Sequence, residues 1–152
     1  MDKIIISDTS CLIALSNIGL LNILKDLYQE IIITQEVKHE FGENLPEWII
    51  VLKVNDTGRQ TEIAMKLDMG EASSIALALE TENSILIIDE IKGRTVAKTY
   101  QIEIIGTIGV LLLANKKGLI KDVMSTILKL VNNGFRLSDK VIEKLIENYG
   151  KE

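Results

Sequence analysis

The sequence holds one proline, Pro46, and one cysteine, Cys11, in 152 residues. A lone cysteine cannot close an internal disulfide, and its apolar neighbours make it a small core residue rather than a nucleophile. One proline, with no serine-rich or low-complexity stretch, leaves no linker to divide the chain. Only 4% of residues are aromatic, so the core must be built from Ile, Leu, Val and Ala. No apolar run approaches the roughly 18 residues that span a bilayer. The start shows no basic segment followed by a cleavage site, so the expected setting is the cytoplasm, with no membrane partner. A single histidine, His39, supports no Ser-His-Asp triad and therefore no acyl-transfer chemistry. There is no glycine-rich phosphate loop of the P-loop or dinucleotide type. Positive charge is also scarce: 17 Lys and Arg against 22 Asp and Glu give a net charge of −5. That does not suggest coating nucleic acid by bulk electrostatics, because phosphate affinity needs neutralising cations, and it does not exclude nucleic acid either. It leaves room for phosphate binding through a metal held by acids, helped by a local basic patch.

What the chain does have is a regular alternation of short aliphatic runs with amphipathic ones, the pattern of βα units around a parallel sheet. Ile4-Ile5-Ile6-Ser7 is uniformly apolar until its end, as a strand buried on both faces should be. A helix over 10–16 follows, with Thr9 or Ser10 as cap, then a break at Asn17-Ile18-Gly19 and a second helix over 20–28. Glu30 to Ile33 is a strand, and Thr34 caps a helix over 35–41. Trp48 to Val54 is strand-like and suits a sheet edge. Helices are expected over 60–67 and 71–80, separated by Asp68-Met69-Gly70. Ser84 to Ile88 is the clearest strand after the first. A helix over 93–100, a strand over 103–105 and a helix over 108–117 complete the alternation. Two more helices close the chain, 123–132 and 139–149, the second capped by Ser138. The fold class is therefore α/β.

Several carboxylates fall where such a fold gathers ligands, at the carboxyl ends of the strands. Asp8 ends the first strand; it is a helix cap or a functional acid. Asp89, with Glu90 beside it, ends the strand over 84–88 in the same way. If those strands are neighbours, the two charges raise each other's pKa unless a cation lies between them. Glu36 and Glu40 share one face of a short helix, an arrangement that costs a few tenths of a kcal/mol. Glu36 reads as a solvated residue, and Glu40, beside Val37 and Phe41, as the better ligand candidate. Glu71 is either the third residue of a capping box with Asp68 or an acid in the first turn facing the strand ends. Magnesium suits such a set, since it takes oxygen ligands, keeps several waters and is held by one or two carboxylates. Ser10, Thr9 and Thr107 are placed to steady a carboxylate, although Thr107 reads equally as a cap. Arg94 either holds a phosphate or pairs with Asp89 or Glu90. Lys92, Lys98, Lys116 and Lys117 form a basic rim or a solvated surface.

Taken together, the motifs resemble the PIN-domain superfamily of metal-dependent ribonucleases, the VapC-like proteins, and most closely a prokaryotic PIN-like branch. The matching residues are Ser7-Asp8-Thr9-Ser10, Val37-Lys38-His39-Glu40 and the run from Gly70 to Ala78. Ile88-Asp89-Glu90 with Gly93-Arg94, Ile105 to Leu111, and Gly134-Phe135-Arg136-Leu137-Ser138 complete the set. The resemblance implies a three-layer α/β/α sandwich with a mainly parallel central sheet, one domain over 1–152 with additional helices from about 121. It implies that Asp8, Glu40, Glu71 and Asp89 bind Mg²⁺ or Mn²⁺, with Ser10 and Thr107 assisting, which would place Glu71 in the site. Many relatives are toxins that cut RNA and are held inactive by an antitoxin protein. The third acid is Glu where many PIN nucleases carry Asp, a longer reach that moves or weakens one metal position.

Three functional expectations follow. The leading one is a metal-dependent endoribonuclease acting on RNA, the toxin of a toxin–antitoxin pair. The alternative is a catalytically weak or inactive PIN-like module that binds RNA or a protein. The third, phosphotransfer on Asp8, is disfavoured: a receiver-like domain needs a lysine where Gly106-Thr107 stands, and a dehalogenase-type phosphatase needs an aspartate where Ser10 stands. The helices over 20–28 and 123–132 each offer a face for a homodimer, with core packing as the competing use.

Overall fold

The computed structural model describes residues 2–150; residues 1, 151 and 152, which the sequence pattern includes in the domain, lie outside the described residues. The aliphatic runs become strands: β1 (Ile4–Ser7), β2 (Ile31–Thr34), β3 (Ile49–Leu52), β4 (Ser84–Ile87) and β5 (Glu103–Ile105). They form one sheet in the order β3-β2-β1-β4-β5, with every pairing parallel. The helices are α1 (Thr9–Asn17), α2 (Asn22–Tyr28), α3 (Gln35–Phe41), α4 (Thr57–Ala64), α5 (Met69–Leu79), α6 (Ile91–Thr99), α7 (Thr107–Lys116), α8 (Val123–Asn132) and α9 (Asp139–Tyr149).

Successive strand residues point to opposite faces, and both faces are covered. Ile5, Ile31, Ile33, Ile49 and Ile87 pack with residues of α1, α2, α3, α7 and α8. Ile6, Leu86 and Ile88 pack with residues of α4, α5 and α6 on the other side. The result is the three-layer α/β/α sandwich, and it explains why the strands carry no polar alternation. Cys11 is fully buried in the first of these cores, and burial pushes its thiol up to about 12, which leaves it inert.

The strand order positions the site. The chain runs outward from β1 to β2 and β3, then returns to β1's other side for β4 and β5. The direction of winding thus reverses between β1 and β4, and at such a switch point the two following loops part and leave a crevice. Ser7 pairs in register with Ile87, and the backbone N–H of Asp8 donates to the Ile87 carbonyl at 2.9 Å. Asp8 and Asp89 therefore flank the reversal.

Several helix starts differ from the sequence expectation. The Asp56 carboxylate accepts from the Arg59 N–H at 2.9 Å and starts α4 at Thr57, three residues early, while 65–67 leave the helix. Asp56 is the cap, and Thr57 and Gly58 are the first residues of the helix. Glu90 occupies the cap position of α6, which begins at Ile91 rather than at Gly93, and α2 begins at Asn22 rather than at Leu20. Thr34 and Ser138 are caps as expected, accepting from Val37 N–H at 3.1 Å and Val141 N–H at 3.2 Å. The apolar faces expected to compete for a dimer go mainly to the core: Ile23 and Leu24 of α2, and Val123, Met124, Ile127 and Leu130 of α8, are buried. No single helix among the described residues is long and apolar enough to cross a membrane.

Candidate metal centre

An open cleft of about 1180 Å³ lies at the carboxyl end of the sheet, and Asp8, Glu40, Glu71 and Asp89 all line it. They come from four different places: the end of β1, the last turn of α3, the first turn of α5 and the loop after β4. Asp68 and Glu90 add two further carboxylates to the lining. Among the described residues the one ion pair is on the surface, between Lys3 and Glu103, so none of these acids has a cation within pairing distance.

Asp8 occupies the cap position of α1 by its backbone, yet its side chain makes no capping hydrogen bond. Neither Thr9 nor Ser10 is the cap. Asp8 is instead only 5% exposed. Burial pushes its pKa up to about 7; the backbone N–H of Thr9 opposes this, and the charges of Glu71, Asp68 and Glu40 reinforce it. An isolated buried carboxylate resists ionisation in this way unless a cation compensates.

Glu71 combines the two readings that spacing left open. Asp68 does cap α5, accepting the Glu71 N–H at 2.8 Å. The Glu71 side chain nonetheless lines the cleft and is 5% exposed. Burial pushes it up to about 7, with the Asp68 charge adding, the Asp68 backbone N–H opposing, and Glu90 adding again. The helix is crowded with small residues, Ala72, Ser73, Ser74 and Ala76, all buried, so it sits close on the sheet and carries Glu71 with it.

The other two acids are held by hydroxyls and backbone. Asp89 accepts three hydrogen bonds: from Ser10 Oγ at 2.9 Å, from the Thr107 N–H at 2.7 Å and from Thr107 Oγ1 at 2.5 Å. Thr107 is not a cap; Gly106 holds that position, and Thr107 opens α7 with both its donors on Asp89. Glu40 lies on the exposed side of its short helix, not toward the buried side, and it reaches back across the cleft edge. Thr9 Oγ1 donates to its Oε1 at 2.5 Å and the Gly70 N–H to its Oε2 at 3.2 Å. Gly70 permits this approach, because a Cβ there would overlap the Glu40 carboxylate.

Other candidates fall elsewhere. Glu36 is half-buried, accepts from the buried Gln60 side chain at 2.7 Å, and is not part of the cleft. His39 lies in a separate shallow depression with Gln35, Glu36, Glu40 and Met69. Arg94 pairs with neither Asp89 nor Glu90 among the described residues; its guanidinium donates to the Ile88 carbonyl at 2.8 Å and braces the chain just before Asp89. Of the expected basic rim only Lys92 lines the cleft, joined by Lys66 and Arg136. The sequence assigns neither of those two a site role: Lys66 reads as part of a helix over 60–67, and Arg136 only as one residue of the Gly134-to-Ser138 motif. Asp68 reads there only as a cap.

The donor set is carboxylate and hydroxyl oxygen, without nitrogen or sulfur, which suits a hard divalent cation. Among the described residues no three Asp, Glu, His or Cys side chains already converge at ligand spacing. A magnesium ion keeps several waters and needs one or two carboxylates, so acids flanking a cleft fit it, and the compensation that Asp8 and Glu71 call for is a positive charge.

No curated protein and no solved structure matches the chain. The family DUF3368, described as a PIN domain, matches residues 4–151. With nearly the whole chain covered and the parallel sheet in place, this protein belongs to the PIN-domain family.

Proposed function

We propose that the protein is a metal-dependent endoribonuclease, with Asp8, Glu40, Glu71 and Asp89 as the ligands of Mg²⁺ or Mn²⁺, and that it serves as the toxin of a toxin–antitoxin pair. PIN domains are commonly nucleases that use divalent metals and bind RNA. The observation that carries the reading is the gathering of four acids from four elements around one cleft, with no protein cation within pairing distance among the described residues. Bound there, a divalent ion would lower the pKa of a coordinated water and neutralise phosphate charge.

The chain's own residues supply order and charge. Asp8 and Glu71, buried and reluctant to ionise, hold the strongest demand for a cation. Ser10 and Thr107 fix both oxygens of Asp89, and Thr9 with the Gly70 N–H fixes those of Glu40. Such supporting bonds orient ligands so that little reorganisation is left for the reaction.

Purified protein with Mn²⁺ should cut RNA internally, and Asp8→Asn combined with Asp89→Asn should abolish the cutting; activity that survives the pair overturns the mechanism. The absence of any three acids already at ligand spacing among the described residues favours one competing reading, a non-catalytic module. Calorimetry separates the two: no heat of binding at millimolar Mn²⁺ or Mg²⁺ selects the module. The antitoxin part is tested by co-expression with the product of the neighbouring reading frame, which should co-purify and suppress cleavage.

A further inference from the structure

Three cations line the cleft alongside its carboxylates, and one stands apart. Lys66 and Lys92 border the acid cluster in sequence, next to the segments that carry Asp68 and Glu90. Arg136 comes from the α8–α9 corner, Gly134-Phe135-Arg136, which contributes no acid to the cleft. Its place there is built. Gly134 has a φ of 99°, in the region that favours glycine. Its N–H donates to the Val131 carbonyl at 3.1 Å, and the Phe135 N–H donates to that of Leu130 at 3.0 Å. Phe135, one of few aromatics in the chain, is half-buried against the larger of the two cores. The corner is thereby locked, and the next residue is an exposed arginine on the cleft wall that makes no ion pair among the described residues.

An exposed, unpaired arginine carried by a fixed backbone corner to a cleft rich in carboxylates is suited to an anion that arrives with the substrate. Guanidinium binds phosphate bidentately and stays charged at any working pH. The cleft, at about 1180 Å³, is larger than one phosphate group, and Arg136 lines it together with the acids. We infer that Arg136, presented by the Gly134-Phe135 corner, holds a backbone phosphate of single-stranded RNA next to the phosphate that lies at the acids. The corner is then a substrate-positioning wall. The inference rests on the nuclease reading for the identity of its ligand, but not for its measurement.

The test is binding of a labelled single-stranded RNA in EDTA, where no hydrolysis occurs, to the parent, Arg136→Ala and Arg136→Lys proteins over a range of salt. Loss of one phosphate contact should weaken binding several-fold for every sequence and flatten the log–log salt dependence by about 0.7. Arg136→Lys should keep the slope and recover part of the affinity. In cleavage assays Arg136→Ala should raise KM more than it lowers kcat. Unchanged affinity and slope in Arg136→Ala, with native circular dichroism, overturn the inference even if the parent cuts RNA. Altered binding in a protein that cuts no RNA keeps the inference and removes the nuclease reading.

Discussion

Replacing Asp8 by Asn should raise the melting temperature of the metal-free protein at pH 8. Most substitutions at buried positions do the opposite. Asp8 is 5% exposed, and its pKa rises from 3.8 to about 7, first because burial penalises the charge. A group with a raised native pKa binds more protons folded than unfolded, so stability falls as pH rises between the two values. Its contribution is fully present below about pH 4 and lost as pH passes through about 7. Glu71, raised to about 7 from 4.5, acts in the same window and the same direction. The parent in EDTA should therefore lose stability from pH 4 to pH 8, apart from the opposing titration of other groups. The Asp8→Asn variant isolates one of the two contributions. Every tenfold difference in proton affinity between the folded and unfolded chain corresponds to about 1.4 kcal/mol, which bounds the gain at roughly 4 kcal/mol; half of that, about 2, is a realistic expectation after local relaxation. For a chain of this size that is about 4–8 °C in melting temperature. Saturating Mn²⁺ should then stabilise the parent and do much less for the variant. Thermal denaturation at several pH values, with and without metal, checks each part. A variant less stable than the parent at pH 8 in EDTA, or a difference that does not shrink toward pH 4, would show that Asp8 is not held as a costly charge.

The sequence reveals this site unevenly. Asp8 and Asp89 are legible because each terminates an uninterrupted aliphatic strand, and burial on both faces produces that pattern locally. Their nearness is not legible. It depends on β4 returning to pair with β1 across a separation of about 80 residues, and no local spacing encodes a non-local pairing. Glu71 is ambiguous in sequence because the cap and the functional acid use the same first turn; the structure has both, with Asp68 capping and Glu71 lining the cleft. Thr107 looks like a cap because Gly106, with no side chain, gives no signal of holding that position. Arg94 looks like an ion-pair partner because a sequence displays charges and not carbonyls, and its actual partner is the Ile88 backbone. Lys66 reads as part of a helix over 60–67 and Arg136 as one residue of the Gly134-to-Ser138 motif, with no sign in either of a place at the cleft; only the packing of the α8–α9 corner brings Arg136 there.

Gly70→Ala should separate stability from activity more cleanly than any change to the acids themselves. Gly70 lies in the first turn of α5 at an ordinary helical φ, so alanine there is favoured over glycine by roughly 0.5–1 kcal/mol of backbone entropy. The three atoms nearest the added Cβ all belong to the Glu40 carboxylate. That carboxylate is the far end of a flexible side chain on an exposed position, so it can swing away at little expense to the fold. In doing so it gives up the bonds from Thr9 Oγ1 and the Gly70 N–H, the two contacts that hold it at the cleft. Under the nuclease reading, losing the groups that orient a metal ligand should lower metal affinity or cleavage by about 10- to 100-fold. The melting temperature of the metal-free protein should meanwhile stay level or rise. Adding Glu40→Ala to the Gly70→Ala protein should then change activity little, because both substitutions remove the same side chain from the site, and a double-mutant cycle would register that as strong coupling. Equal and additive losses from the two single changes would mean that Gly70 acts on something other than Glu40. Full activity in Gly70→Ala would mean that Glu40 contributes nothing to the metal centre and that the cluster works with Asp8, Glu71 and Asp89 alone.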